Sequence, residues 1–184
     1  ILSGLVGSEM CIRDRAIRSI VYFPSKILRQ TSEEIKDIDK NINQLAVDMI
    51  ETMQEYNGVG LAAVQIGVPL RMFILDKAAE NEQVECDPMI VINPKIIWSS
   101  SELSTYNEGC LSVPEMYEEV QRPAQINMQY YTLENKLEEI KLDSLLATCA
   151  QHELDHLNGI LFFDHLSKIK KNRLINKFLK RTKL

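Results

Sequence analysis

Residues 144–157 read Ser144-Leu145-Leu146-Ala147-Thr148-Cys149-Ala150-Gln151-His152-Glu153-Leu154-Asp155-His156-Leu157, and two of the chain's three histidines lie in this stretch. At helical spacing His152 and His156 stand one turn apart on one face, so both imidazoles can reach a single metal ion. Glu153, between them, is placed to act as general base for a water on that ion. Asp143 is positioned to cap the helix and Asn158-Gly159 to end it. Leu145, Cys149, His152 and His156 continue along one stripe whose first half is apolar. The metal is therefore expected at the rim of a buried apolar surface, with a hydrophobic pocket beside it. Leu145 and Cys149 also read as ordinary core residues.

Two histidines do not complete a catalytic site, and the chain after them offers little. In His156-Leu157-Asn158-Gly159 a metallopeptidase pattern begins, but the position that should hold its third histidine is Phe162. His165 falls three residues too late and reads as structural. No glutamate follows His156, which excludes the designs that take a distant Glu. The third donor should come from upstream, and the best one is Cys110 in Glu108-Gly109-Cys110-Leu111-Ser112-Val113-Pro114. Glycine beside the cysteine permits close backbone approach, and the proline stiffens the segment. A thiolate with two imidazoles leaves a coordination position open for water.

A third element, Gly58-Val59-Gly60-Leu61-Ala62-Ala63-Val64-Gln65-Ile66-Gly67, is too apolar for a phosphate loop and has no Lys-Ser/Thr after it. It reads either as a tight turn into a buried strand or as a backbone edge that pairs with an extended peptide. In the second case Gln65 offers an amide donor to a developing oxyanion.

Around these elements the pattern is mixed. Ile42, Leu45, Ala46, Met49, Ile50 and Met53 mark an amphipathic helix within 37–56, capped by Asp37 or Asp39 and ended at Asn57-Gly58. Residues 71–75 and 89–92 read as short buried strands. Residues 124–132 and 136–142 read as a hairpin turning at Leu133-Glu134-Asn135, and 170–180 as a last helix. The expected fold is a single α+β domain: antiparallel sheets around a central metal-binding helix, with an N-terminal amphipathic helix and a C-terminal helix.

The 184 residues suit one domain, and the net charge of −5 argues against a general DNA binder. The charge is uneven: residues 166–184 hold eight Lys/Arg and no acid, against 13 basic and 26 acidic residues elsewhere. That basic tail suits a solvated helix or a docking element for an anionic partner such as ribosomal RNA. No run approaches the ~18 apolar residues of a membrane span. Cys11, Cys86, Cys110 and Cys149 form no C-x-x-C pair or disulfide framework, which fits a reducing cytoplasm. Residues 1–15 look foreign to the rest: they carry no signal-peptide pattern and resemble translated sequencing-adapter read-through. The domain is expected over 16–184.

Taken together, Gly58 to Gln65, Glu108 to Ser112 and Gln151 to His156 resemble the three signatures of bacterial peptide deformylases, in order and at similar separation. The resemblance runs from about Ala16 to the C-terminus. It implies one metal ion held by Cys110, His152 and His156, with Glu153 as acid/base; the family's usual ion is Fe(II), replaceable by Ni, Co or Zn. The implied reaction removes the N-formyl group from the first methionine of nascent polypeptides and releases formate. In it the Leu111 N–H and the Gln65 side chain stabilise the oxyanion. Tyr106, Leu145 and Cys149 would wall the methionine pocket, Val59 and Gly60 would pair with the substrate backbone, and Glu108 with Arg122 would fix the cysteine loop. The resemblance also implies docking on the ribosome through the basic C-terminal helix; no DNA or membrane partner is implied. Tyr117 departs from the pattern, standing where some members place an arginine that contacts substrate. Two rivals stay in view. A zinc peptidase cutting internal bonds needs a ligand after His156, and a non-catalytic relative should have lost Glu153 or a ligand.

Overall fold

The structure, a computed structural model, describes residues 17–79 and 86–182. The adapter-like leader expected at 1–15, with its Cys11, lies outside the described residues. Helix α1 spans Lys40–Glu55, and the Asp39 carboxylate accepts hydrogen bonds from the Asn41 and Ile42 N–H groups at its first turn. The chain then forms β1 (Gly60–Ala62), a 3-10 turn (Ala63–Ile66) and β2 (Met72–Asp76). Strand β3 (Pro88–Ser99) is followed by β4 (Leu103–Cys110), β5 (Val113–Pro123), β6 (Gln125–Tyr131) and β7 (Leu137–Asp143). Helix α2 (Ser144–Leu157), a 3-10 turn (Phe162–His165) and α3 (Lys168–Thr182) complete the fold.

The pairs formed between these strands are all antiparallel. Five strands form one sheet in the order β1-β2-β3-β6-β7, and β4 with β5 forms a separate two-stranded sheet. The expected α+β class and central helix are therefore both present. Strand β2 shows how the layers arise. Met72 and Ile74 point to the face covered by the Ile42, Leu45, Ala46, Met49 and Met53 stripe of α1. Phe73 and Leu75 point to the opposite face, against Ala147, Ala150 and Leu157 of α2. A strand buried on both sides needs a continuous apolar run, and residues 72–75 supply one.

A third cluster joins Val113, Met116 and Val120 of β5 to Leu161, Phe162 and Phe163, with Leu174 and Phe178 of α3 closing it. Helix α2 thus lies between the two sheets. Its last turn ends at Gly159, whose φ of +72° and closeness to the Arg29 carbonyl leave no room for a side chain.

Some expectations need correction. The Asp143 side chain makes no capping hydrogen bond, because Asp143 is still paired with Gln125 in the sheet and Ser144 turns sharply with φ +51°. Strand β3 runs well past the expected 89–92. Polar Asn93 and Lys95 and the N–H-less Pro94 hide its continuation, and the ladder absorbs them through register shifts at 92/95 and 96/98. The β4–β5 hairpin around Cys110 comes in addition to the expected elements; its half-exposed strands lack a strong apolar alternation.

Candidate active site

Three separate pieces of chain meet at the buried end of a cleft. Helix α2 brings His152, Glu153 and His156, which are 8%, 5% and 1% exposed. The β4–β5 turn brings Cys110, and the 3-10 turn after β1 brings Gln65. A short segment near the N-terminus ties the last two together: the Val21 N–H donates to the Gln65 carbonyl (2.7 Å) and the Phe23 N–H to the Ser112 carbonyl (2.9 Å).

The Cys110 sulfur and one ring nitrogen each of His152 and His156 lie within 4.8 Å of one another. Cys110 Sγ is 3.1 Å from His156 Nε2. His152 Nδ1 lies 2.8 Å from a Glu108 oxygen, and since a carboxylate only accepts, Nδ1 carries the proton and Nε2 is left for a metal. One soft and two borderline donors at this spacing suit a single first-row ion with bonds of ~2.0–2.3 Å. His156 Nδ1 and Glu153 Oε2 are buried with no hydrogen-bond partner among the described residues. An orphaned carboxylate oxygen beside such a donor set suits a group that handles a proton.

The electrostatics separate the acids. Burial pushes the Glu153 carboxyl up to about 7, although the His152 charge and the Ala62 N–H pull the other way. Burial also acts on Glu108, but hydrogen bonds from His152 and Arg122 outweigh it and bring that carboxyl down to about 2. Burial lowers His156 well below the ordinary imidazole range, helped by the neighbouring His152 charge. For His152 burial is overcome by its bonds to Cys110 and Glu108, which hold it well above that range.

Glu108 and Arg122, expected as an ion pair, form one: Arg122 Nε and one terminal nitrogen donate to the two Glu108 oxygens at 2.5 and 3.0 Å. Gln65 is 1% exposed. Its Oε1 accepts from the Ala62 N–H (2.8 Å), which turns Nε2 toward Cys110 Sγ (3.5 Å) and Ser112 Oγ (3.3 Å). The amide orientation is thus set by a backbone donor that cannot bond to nitrogen.

The cleft above these groups holds about 430 Å³. The residues expected around a substrate, Val59, Gly60, Tyr106, Leu145 and Cys149, line it, and so does Leu111. Strand β1 is an edge of the five-stranded sheet, so Gly60 belongs to a strand with one side open to a further strand. Gly60 also touches the machinery, since a Cβ there would lie 2.7 Å from Glu153 Oε1. Tyr117 is 63% exposed at the cleft mouth, with its ring against Gly109.

Two features escaped the sequence reading. Ser112 faces Gln65 across 47 residues, which no spacing rule reveals. His165, expected to be structural, bonds to Asp155, and Asp155 bonds to Arg122. Adjacent charged and aromatic residues in a helix-end motif gave no signal for that connection.

The fold and a Cys/His/His group that could hold a metal ion suit the class of hydrolases built on a His-Glu-x-x-His helix. Comparison with known proteins narrows the class. The polypeptide deformylase family model matches residues 17–172, and the chain belongs to that family. It is 51% identical to the peptide deformylase of Bartonella henselae over 91% of this chain and 94% of that protein. With the enzyme of Nitrobacter hamburgensis it shares 49% identity over 92% of this chain and 98% of the relative. The crystal structure of the Ehrlichia chaffeensis peptide deformylase superposes with a TM-score of 0.84 at 40% identity, covering 91% and 97% of the two chains. A second structure from that organism, in complex with actinonin, gives 0.83 at 42% identity over 90% and 97%.

Proposed function

We propose that the chain removes the N-formyl group from the N-terminal methionine of newly made polypeptides and releases formate, with Cys110, His152 and His156 as metal ligands. The observation that carries this reading is the meeting of one thiol, two imidazoles and the orphaned Glu153 oxygen at the closed end of an apolar cleft. When bound, the metal supplies Lewis-acid polarisation and a water acidified toward neutrality. Glu153, buried beside the donor set with one oxygen left unpartnered, takes the proton of the attacking water and returns it to the leaving amine. The Leu111 N–H and Gln65 Nε2 donate to the oxygen that gains charge on the formyl carbon, and losing one such donor costs ~10²–10³ in turnover. The edge of β1 at Val59 and Gly60 pairs with the substrate backbone. Tyr106, Leu145 and Cys149 enclose the methionine side chain.

Glu108 and Arg122 fix the His152 tautomer. The metal in the cell is Fe(II) on this reading, with Zn, Ni or Co taken up during preparation; a mixed thiolate and imidazole set accepts each of them. The domain takes in residues 16–184 and works in the cytoplasm. Helix α3, anchored by Leu174 and Phe178, turns Lys170, Arg173, Lys177 and Lys180 outward as a docking face for ribosomal RNA. Among the described residues no helix is long and apolar enough to cross a membrane. The test is formate release from a formyl-Met tripeptide by anaerobically prepared, metal-loaded chain, beside Glu153→Ala. Wild type should turn over and the variant should lose at least ~10²-fold while keeping its metal. An inactive, metal-loaded wild type would overturn the reading.

A further inference from the structure

The ion pair behind His152 does not stop at Arg122. With Nε and one terminal nitrogen spent on Glu108, the other terminal nitrogen donates to Asp155 Oδ2 at 2.7 Å. The same oxygen lies 2.7 Å from His165 Nε2, which therefore carries a proton and donates. A continuous chain of hydrogen bonds runs from His165, whose side chain is 37% exposed, through Asp155, Arg122 and Glu108 to His152 Nδ1. Both edges of the guanidinium fork are occupied, and a fork held on two sides cannot rotate about its stem. The 3-10 turn that carries His165 also stacks Phe162 on the His152 ring, with centroids 6.2 Å apart and planes at 23°. One turn therefore grips His152 from two directions, by ring contact and through the relay.

We propose that Asp155 and His165 are positioning residues for His152, acting through Arg122 and Glu108; this rests on the metal-site reading above. Neither residue touches the proposed donor atoms. Asp155 locks the fork that aims Glu108, and Glu108 sets the angle at which His152 presents Nε2. His165 keeps the Asp155 carboxylate, only 16% exposed, turned inward onto Arg122.

The experiment titrates Co(II) into the metal-free full chain against a competing chelator and records the visible spectrum of the product. Wild type is compared with Asp155→Asn, His165→Ala and His165→Gln, and with Asp48→Asn. Asp48→Asn breaks the pair between half-exposed Arg18 and buried Asp48 and loosens the fold away from the site. Asp155→Asn and His165→Ala should weaken Co(II) binding roughly 10-fold or more and shift the Co(II) bands. His165→Gln, which keeps an N–H donor, should recover most of the loss, and Asp48→Asn should lower Tm without moving the bands. Wild-type affinity and spectrum in His165→Ala would overturn the proposal even if Asp155→Asn failed to fold. Losses that only track Tm, as in Asp48→Asn, would overturn it too. Failure of the wild type to give a thiolate–Co(II) charge-transfer band would instead sink the metal-site reading itself.

Discussion

Adding one methyl group at Gly60 isolates the position of Glu153. Gly60 does not have a positive φ, so the backbone tolerates alanine, and the whole effect must come from contact. The new Cβ would stand 2.7 Å from Glu153 Oε1, 3.0 Å from Cγ and 3.1 Å from the carboxyl carbon. Ordinary contact begins near 3.4 Å, so the carboxylate must retreat by about 0.7 Å. Glu153 is buried on a helix packed between two sheets and cannot swing into solvent. A catalytic group displaced by ~1 Å loses on the order of 10²-fold in rate, so Gly60→Ala should lower kcat roughly 10- to 100-fold. Metal content should stay at the wild-type level, because the clash touches no proposed ligand atom. Steady-state formate release on metal-quantified protein measures this. In a Glu153→Ala background the same change should cost almost nothing further, since the clashing carboxylate is gone. A kcat within twofold of wild type at full metal occupancy, or an equal loss in both backgrounds, would show that Gly60 does not hold Glu153 in place.

Other consequences concern stability and the metal. Burial raises the Asp164 carboxyl, but hydrogen bonds from Arg29, Lys171 and the Leu161 N–H outweigh it and hold its folded pKa below the unfolded value. Its stabilisation is therefore present above the unfolded pKa, near 4, and is lost as pH falls through the folded one. Asp164→Asn should cost ~1–3 kcal/mol in urea unfolding at pH 7, and the gap to wild type should shrink at pH 3; a constant gap would contradict the assignment. Phe178, 2% exposed and edge-on to Phe23 at 5.8 Å, holds α3 to the body. Phe178→Ala should cost ~3–5 kcal/mol, read by chemical denaturation, and a loss under 1 kcal/mol would mean that α3 packs loosely. Cys110→Ala should remove the thiolate band of the Co(II) form and weaken metal binding sharply; unchanged affinity would show that the thiol is not a ligand.

Much of this architecture is legible in the sequence. The stripe Leu145, Cys149, His152, His156 needs only the helical period, and α2 spans the residues that pattern marks. The β6–β7 hairpin and α1 were equally plain, because their burial is one-sided and their ends carry Asn135, Asn57 and Asp39. The β4–β5 hairpin was not plain. Its strands cover the site with one face while the other meets water, and Leu103 and Tyr117 are exposed where alternation would place polar residues. Strand β3 hid its second half behind Asn93 and Pro94, since a bulge breaks the period that a strand is recognised by. Within the site, Cys110 was reached by eliminating downstream donors, whereas the partnership of Gln65 with Ser112 and of Asp155 with His165 is purely tertiary. Side chains brought together by folding leave no spacing to read.

The central claim is that this cleft hydrolyses a terminal formamide and leaves internal peptide bonds alone. Incubating anaerobic, metal-loaded chain with a formyl-Met tripeptide, then quantifying formate and peptide products by mass spectrometry, tests it directly. Equimolar formate and intact tripeptide with a free amino terminus are expected. Internal cleavage products, or no formate from fully metal-loaded protein, would contradict it.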